Sequence, residues 1–180
     1  MRAPDNKIIF TGPVGAGKTT AIAAISDVPP VTTDAAASDM TLNRKGHTTV
    51  AMDYGVIYLD EETKVHLYGT PGQERFDFMW DILSQGGMGL VLLLDNTRPN
   101  PVKDLQFFLG AFTSLLKDAP VVIGVTKMDA RPEPDIESYQ RTLASMSIRA
   151  PIFEVDARRK EDIQNLVMAL LYSIDPGLEG

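Results

Sequence analysis

The sequence predicts an α/β fold: a mostly parallel sheet of six strands, one of them antiparallel at the edge, with helices on both faces. Two observations carry this reading. Apolar, strand-like runs recur at Lys7 to Thr11, Val50 to Tyr58, Val65 to Tyr68, Leu90 to Leu94, Val121 to Val125 and Pro151 to Val155, with helical patterns between several of them. Strands that alternate with helices need crossover connections, and those make parallel pairs. The exception is Asp60-Glu61-Glu62-Thr63, too short for a helix, so the second and third strands form a hairpin and supply the antiparallel strand.

The first run, Ile8-Ile9-Phe10, leads into Gly12-Pro13-Val14-Gly15-Ala16-Gly17-Lys18-Thr19, and Ala21-Ile22-Ala23-Ala24-Ile25 follows with a helical pattern. Strand, spacing and helix together make this a P-loop. Glycines let successive backbone amides point at phosphate oxygens, Lys18 supplies a point charge, and the Thr19 hydroxyl is a magnesium ligand. Thr20 is counted with the same nucleotide-binding set.

Pro29-Pro30 breaks the first helix, and the polar segment from Val28 to His47 reads as a long loop suited to closing over phosphates. Further on, Leu105, Phe108, Leu109, Phe112, Leu115 and Leu116 form one helical stripe, and Ile163, Leu166, Val167, Leu170, Leu171 and Ile174 another. Both are core-packing stripes. In such sheets ligands bind beyond the carboxyl ends of the strands, where every motif of this chain falls.

Composition narrows the function class. With 180 residues, 44% apolar and 23% charged, the chain fits one domain over 1–180. A net charge of -7 argues against non-specific binding to nucleic acid or an anionic membrane. The absence of cysteine removes disulfides, thiolate metal sites and cysteine-linked lipid anchors. No apolar run suits a membrane span, and the P-loop lies too near Met1 for a signal peptide, so we expect a cytoplasmic protein with no intrinsic membrane anchor.

Four further segments follow the P-loop in a telling order: Thr49-Val50-Ala51-Met52-Asp53-Tyr54-Gly55, Gly69-Thr70-Pro71-Gly72-Gln73-Glu74-Arg75, Thr126-Lys127-Met128-Asp129 and Asp156-Ala157-Arg158. They resemble, respectively, the switch I, switch II, guanine-motif and last base-contacting segments of a Ras-like small GTPase. The likeness is closest to bacterial Ras-like GTPases with a Thr-Pro-Gly-Gln switch II, such as the gliding-motility group.

The resemblance implies a switch that binds GTP and GDP with magnesium and hydrolyses GTP. Thr19 and Thr49 would hold the metal, with Thr48 as the rival to Thr49, and the Gly72 amide would meet the terminal phosphate. Gln73 would orient the attacking water, and Arg44, or else Arg75, would meet transition-state charge beside Lys18. Asp129 would accept the ring N–H and exocyclic amine of guanine, Lys127 would lie along the base, and the Ala157 amide would reach the guanine oxygen. Thr126, Asp156 and Arg158 complete the base side. The resemblance also implies partners: a roadblock-type activating protein, an exchange factor or a downstream effector. The apolar segment Phe76, Phe78, Met79, Trp80 and Ile82 divides between core and a partner surface.

Several letters depart from the family. Gly69 stands where an aspartate usually holds magnesium through water, which leaves Asp53 and Asp95 as candidate substitutes. Val14 replaces a common glycine and predicts slow intrinsic hydrolysis. Thr126 replaces an asparagine and predicts a weaker tie between P-loop and base loop, while Asp156 replaces a serine and is free to bond local backbone. The alternatives are a nucleotide-binding scaffold with negligible turnover and an ATP-using P-loop enzyme.

Overall fold

Ile8, Ile9 and Phe10 are wholly buried because their strand has a neighbour on each side and a helical layer on each face. In the computed structural model, which describes residues 6–32, 53–72 and 77–177 apart from the side chains of 77–79, this strand is β1, Lys7–Thr11. It pairs in parallel with β4, Lys64–Gly69, and with β5, Gly89–Asp95. Beyond β5 come β6, Val121–Thr126, and β7, Ile152–Glu154, both parallel.

Successive residues of these strands serve opposite cores. Ile8, Phe10, Val91 and Leu93 pack with helix α1, Lys18–Ile25, and with the last helix, α6, Lys160–Ile174. Ile9, Leu90, Leu92 and Leu94 pack on the other face with α2, Asp77–Ser84, α3, Pro101–Ala111, and α5, Ile136–Ser145. A short turn of helix, α4, Thr113–Leu116, follows α3. Burial on both faces is why these strands read as continuous apolar runs instead of alternating ones. The two helical stripes read from the sequence lie on opposite faces, in α3–α4 and in α6.

The hairpin forms as expected: β3, Asp53–Tyr58, runs antiparallel to β4. Asp60 closes the turn by accepting from the backbone N–H groups of Glu62 and Thr63. One strand exceeds the expected six. Val31–Thr32, inside the segment read as a loop, forms β2, antiparallel to β3, so β2 and not β3 holds the sheet edge. Both residues are exposed, so the strand leaves no apolar pattern to read. The resulting order is β2-β3-β4-β1-β5-β6-β7.

Positions 33–52 and 73–76, with Arg44, Thr48, Thr49, Gln73 and Arg75, lie outside the described residues. The parallel strands β1, β4, β5, β6 and β7 end along one side of the sheet, and the described motifs begin there.

Candidate functional site

The turn after β1 is shaped by backbone conformations that favour glycine: φ is 143° at Gly12, 83° at Gly15 and 102° at Gly17. At Gly12 a methyl group would also lie 2.0 Å from the Leu93 carbonyl oxygen. No side chain caps the start of α1, so its first-turn amides stay available to an anion. Lys18 folds back over this turn and donates to the carbonyls of Gly12 (2.6 Å) and Pro13 (2.8 Å). Burial lowers its pKa to about 8, against the pull of the nearby Asp53 carboxylate, which favours the charged form.

Asp53 occupies the space that the departure at Gly69 leaves. The two residues are paired across β3 and β4, and a methyl on Gly69 would stand 3.0 Å from both Cβ and Oδ2 of Asp53. Asp53 is 7% exposed, and its Oδ2 accepts the Thr19 hydroxyl at 2.8 Å. Its Oδ1 is the buried side-chain polar atom with no hydrogen-bond partner among the described residues. A carboxylate oxygen beside a hydroxyl suits a hard divalent cation such as magnesium, so this pair fits the metal that the fold implies. Among the described residues no group of three or more His, Asp or Glu side chains forms a metal cage.

Asp95 lies elsewhere. Its Oδ2 accepts from Lys127 Nζ (2.9 Å), and its Oδ1 accepts from the Thr97 amide (2.8 Å) and hydroxyl (2.6 Å). Burial alone would raise its pKa, but these donors outweigh it and the carboxyl is held low. Of the two substitutes considered for Gly69, the geometry thus supports Asp53 and assigns Asp95 to Lys127.

On the base side, Lys127 has a left-handed backbone, φ 63°, and its amine also donates to the Gly15 carbonyl at 2.9 Å. The Thr126 hydroxyl faces two carbonyls, Ala16 at 3.1 Å and Leu94 at 3.0 Å. The tie between P-loop and base loop is present through this one hydroxyl, the group that the threonine keeps where an asparagine would offer an amide. Behind it, buried Asn96 donates to the carbonyls of Arg131 (2.7 Å) and Pro134 (3.1 Å) and accepts from Tyr139, fixing the turn that carries Asp129. Asp156 does bond locally, accepting from the Arg158 amide and guanidinium, and that contact lowers its pKa to about 2.

The predicted residues fall into two groups. Gly15, Ala16, Gly17, Thr20, Thr126, Lys127, Asp129, Asp156, Ala157 and Arg158 line a cleft of about 790 Å³. The second group, Gly12, Pro13, Val14, Lys18 and Thr19, belongs to the turn after β1 and the start of α1, and Gly72 stands against Pro13, Val14 and Lys18, where a methyl would lie 2.6 Å from the Val14 nitrogen and 2.8 Å from Lys18 Nζ. Sequence reasoning missed Asn96, Tyr139 and Asp162, whose carboxylate accepts from the Asp156 amide at 2.9 Å. Asp162 was findable as an acidic residue in the first turn of a strongly patterned helix.

Residues 10–174 match the family described as "Conserved hypothetical ATP binding protein". An uncharacterized protein of Methanocaldococcus jannaschii is 31% identical over 98 residues, 54% of this chain and 56% of that protein. Ras-related protein SEC4 of Candida albicans is 22% identical over 127 residues, 68% of this chain and 60% of its own. Ras-related protein Rab-8A of Gallus gallus is 25% identical over 182 residues, 97% of this chain and 82% of its own. The chain thus spans less than two thirds of the length of the first two relatives.

Proposed function

We propose that this chain, which belongs to the family described as conserved hypothetical ATP binding protein, is a guanine-nucleotide switch that binds GTP and GDP and hydrolyses GTP slowly. The supporting observation is the double tie between the two ends of the cleft. Thr126 and Lys127 bond the carbonyls of Ala16 and Gly15, so Asp129 stands at a fixed span from the phosphate cradle. Similarity to Ras-related proteins supports the same reading.

Each residue has a task in this proposal. Lys18 leaves the Gly12 and Pro13 carbonyls for phosphate oxygens, whose negative charge favours its protonated form. Asp129 accepts the two guanine N–H groups, which adenine cannot offer, and the Lys127 stem lies along the base. Thr19 and Asp53 would hold magnesium, with Thr49 as the further ligand. When bound, the metal would neutralise the negative charge of the phosphates. Gln73 orients water and Arg44 meets transition-state charge, while exposed Val14 beside Gly72 keeps turnover slow. Activating protein, exchange factor and effector belong to this reading as partners, and Thr70-Pro71-Gly72-Gln73 supports the gliding-motility-type subgroup.

The family's description supports a second reading, in which adenine nucleotides are the ligands. Calorimetric competition of GDP and GTP against ADP and ATP decides between them. We expect guanine nucleotides to bind at least about 100-fold more tightly, the discrimination available to a hydrogen-bonding pair that the wrong base leaves unmade; equal affinities would overturn the proposal. Single-turnover hydrolysis with excess magnesium separates a slow GTPase from a scaffold, and GTP that stays intact over many hours and with added activating protein would favour the scaffold.

A further inference from the structure

What fixes Gly72 over the phosphate cradle comes from the opposite layer of the molecule. Thr70 is held to β1, its amide donating to the Phe10 carbonyl (2.9 Å) and its hydroxyl bonded to that of Thr11 (2.8 Å). The next residue, Pro71, points its carbonyl the other way and accepts the indole N–H of Trp80 at 2.9 Å. Trp80 is 1% exposed and is gripped by three rings: Phe112 stacked at 5.6 Å, Phe108 tilted at 5.1 Å and Phe107 edge-on at 5.9 Å. Two of those rings belong to α3 and the third immediately follows it, so the indole is set by α3 as much as by its own helix, α2.

We propose that Trp80 is a positioning residue for the terminal phosphate: its N–H, by fixing the Pro71 carbonyl, orients the Gly72 amide. A peptide unit is planar and, at this bond, trans, so the carbonyl and the following N–H point in opposite directions. Holding the Pro71 oxygen against the indole therefore aims the Gly72 N–H away from it. Gly72 itself lies hard against Val14 and Lys18, and in the nucleotide-switch reading its amide meets the terminal phosphate, which a diphosphate lacks. The hydrogen bond thus contributes to triphosphate binding and little to diphosphate binding. This inference rests on the nucleotide-switch reading above but not on the choice of base.

The chain has one tryptophan, so replacing tryptophan throughout alters only this ring. The test installs 3-benzothienylalanine, which keeps the shape of indole but has sulfur in place of N–H. Affinities for GDP and for a non-hydrolysable GTP analogue are then measured by calorimetry with magnesium. We expect the triphosphate analogue to bind about three- to tenfold more weakly, as one neutral hydrogen bond allows, and GDP to change by less than about twofold. Trp80→Phe should shift the same ratio in the same direction. Equal losses for both nucleotides, or no change in either, would mark a merely structural tryptophan and overturn the inference. If the wild-type protein prefers adenine nucleotides and the ratio of ATP analogue to ADP falls, the guanine reading fails and the role of Trp80 stands. Wild-type protein that binds no nucleotide sinks both.

Discussion

The two ends of the cleft differ in how completely their polar groups are satisfied. At the base end Thr126, Lys127, Asp95, Asn96 and Asp156 all have partners within the protein, and the departures from the family's letters are absorbed by new local bonds. The phosphate end is unfinished: Asp53 keeps a buried oxygen with no partner among the described residues, and Lys18 is a buried amine resting on two carbonyls with its pKa lowered. In the proposed function one end would be arranged in advance to recognise the base, and the other stores polarity that phosphate and metal would discharge.

The largest effect should come from the recognition end. Asp129→Ala removes two hydrogen bonds to a charged acceptor, each worth about 1.5–3 kcal/mol, so GDP affinity should fall by about 10² to 10⁴-fold with ADP affinity unchanged. Calorimetry with both nucleotides checks this, and equal loss for both would mean that the base end does not choose the base. At the phosphate end Asp53→Asn should weaken magnesium binding in the GDP complex by about 10 to 100-fold, with metal-free GDP binding little altered. The sharper version is a transplant. Because Asp53 and Gly69 face each other across one register position, the double variant Asp53→Gly, Gly69→Asp moves the carboxylate back across the hairpin and should recover most of the loss. Failure of the transplant while Asp53→Asn keeps normal metal affinity would show that the carboxylate does other work.

Lys18 gives the comparison a pH axis. Its free-state pKa of about 8 is set by burial, and bound phosphates would raise it. Below pH 8 the amine is charged before and after binding, so GDP affinity is fully developed there. Above pH 8 binding must also take up a proton, and affinity should fall by up to tenfold per pH unit until the bound-state pKa is passed. Titrations of GDP in EDTA from pH 7 to about 9.5 keep the metal out of the measurement; a flat profile would mean that the lysine stays charged despite its burial.

Legibility of the sequence followed the range of the interactions. The strands β1, β5 and β6 were readable because burial on both faces makes an unbroken apolar run, and the P-loop because its geometry demands glycine locally. The strand β2 was not, since exposed side chains leave no trace of main-chain pairing. Helix α5 escaped notice because only Tyr139 and Leu143 of its ten residues are buried. The choice between Asp53 and Asp95 was open in the sequence for a different reason. It depends on hairpin register and on a lysine that arrives from β6, both long-range facts. The link from Trp80 to Pro71 was equally out of reach, since an apolar segment after switch II says nothing about where one indole N–H points.

The smallest effect tests whether the two ends are coupled at all. Thr126 is 3% exposed, and its single proton is shared between the carbonyls of Ala16 and Leu94. Thr126→Val preserves shape and removes that proton, leaving two carbonyls short of a donor. The cost to stability should be about 1 kcal/mol, or a Tm lower by roughly 2–4 °C for a chain of this length. If the tie merely holds the fold, GDP affinity should not move. If it sets the span between cradle and base, GDP affinity should fall by about two- to fivefold, while inorganic pyrophosphate, which has no base to place, binds as before. The pyrophosphate arm carries the argument, because a loss shared by both ligands would put the damage in the cradle and not in the distance between the ends.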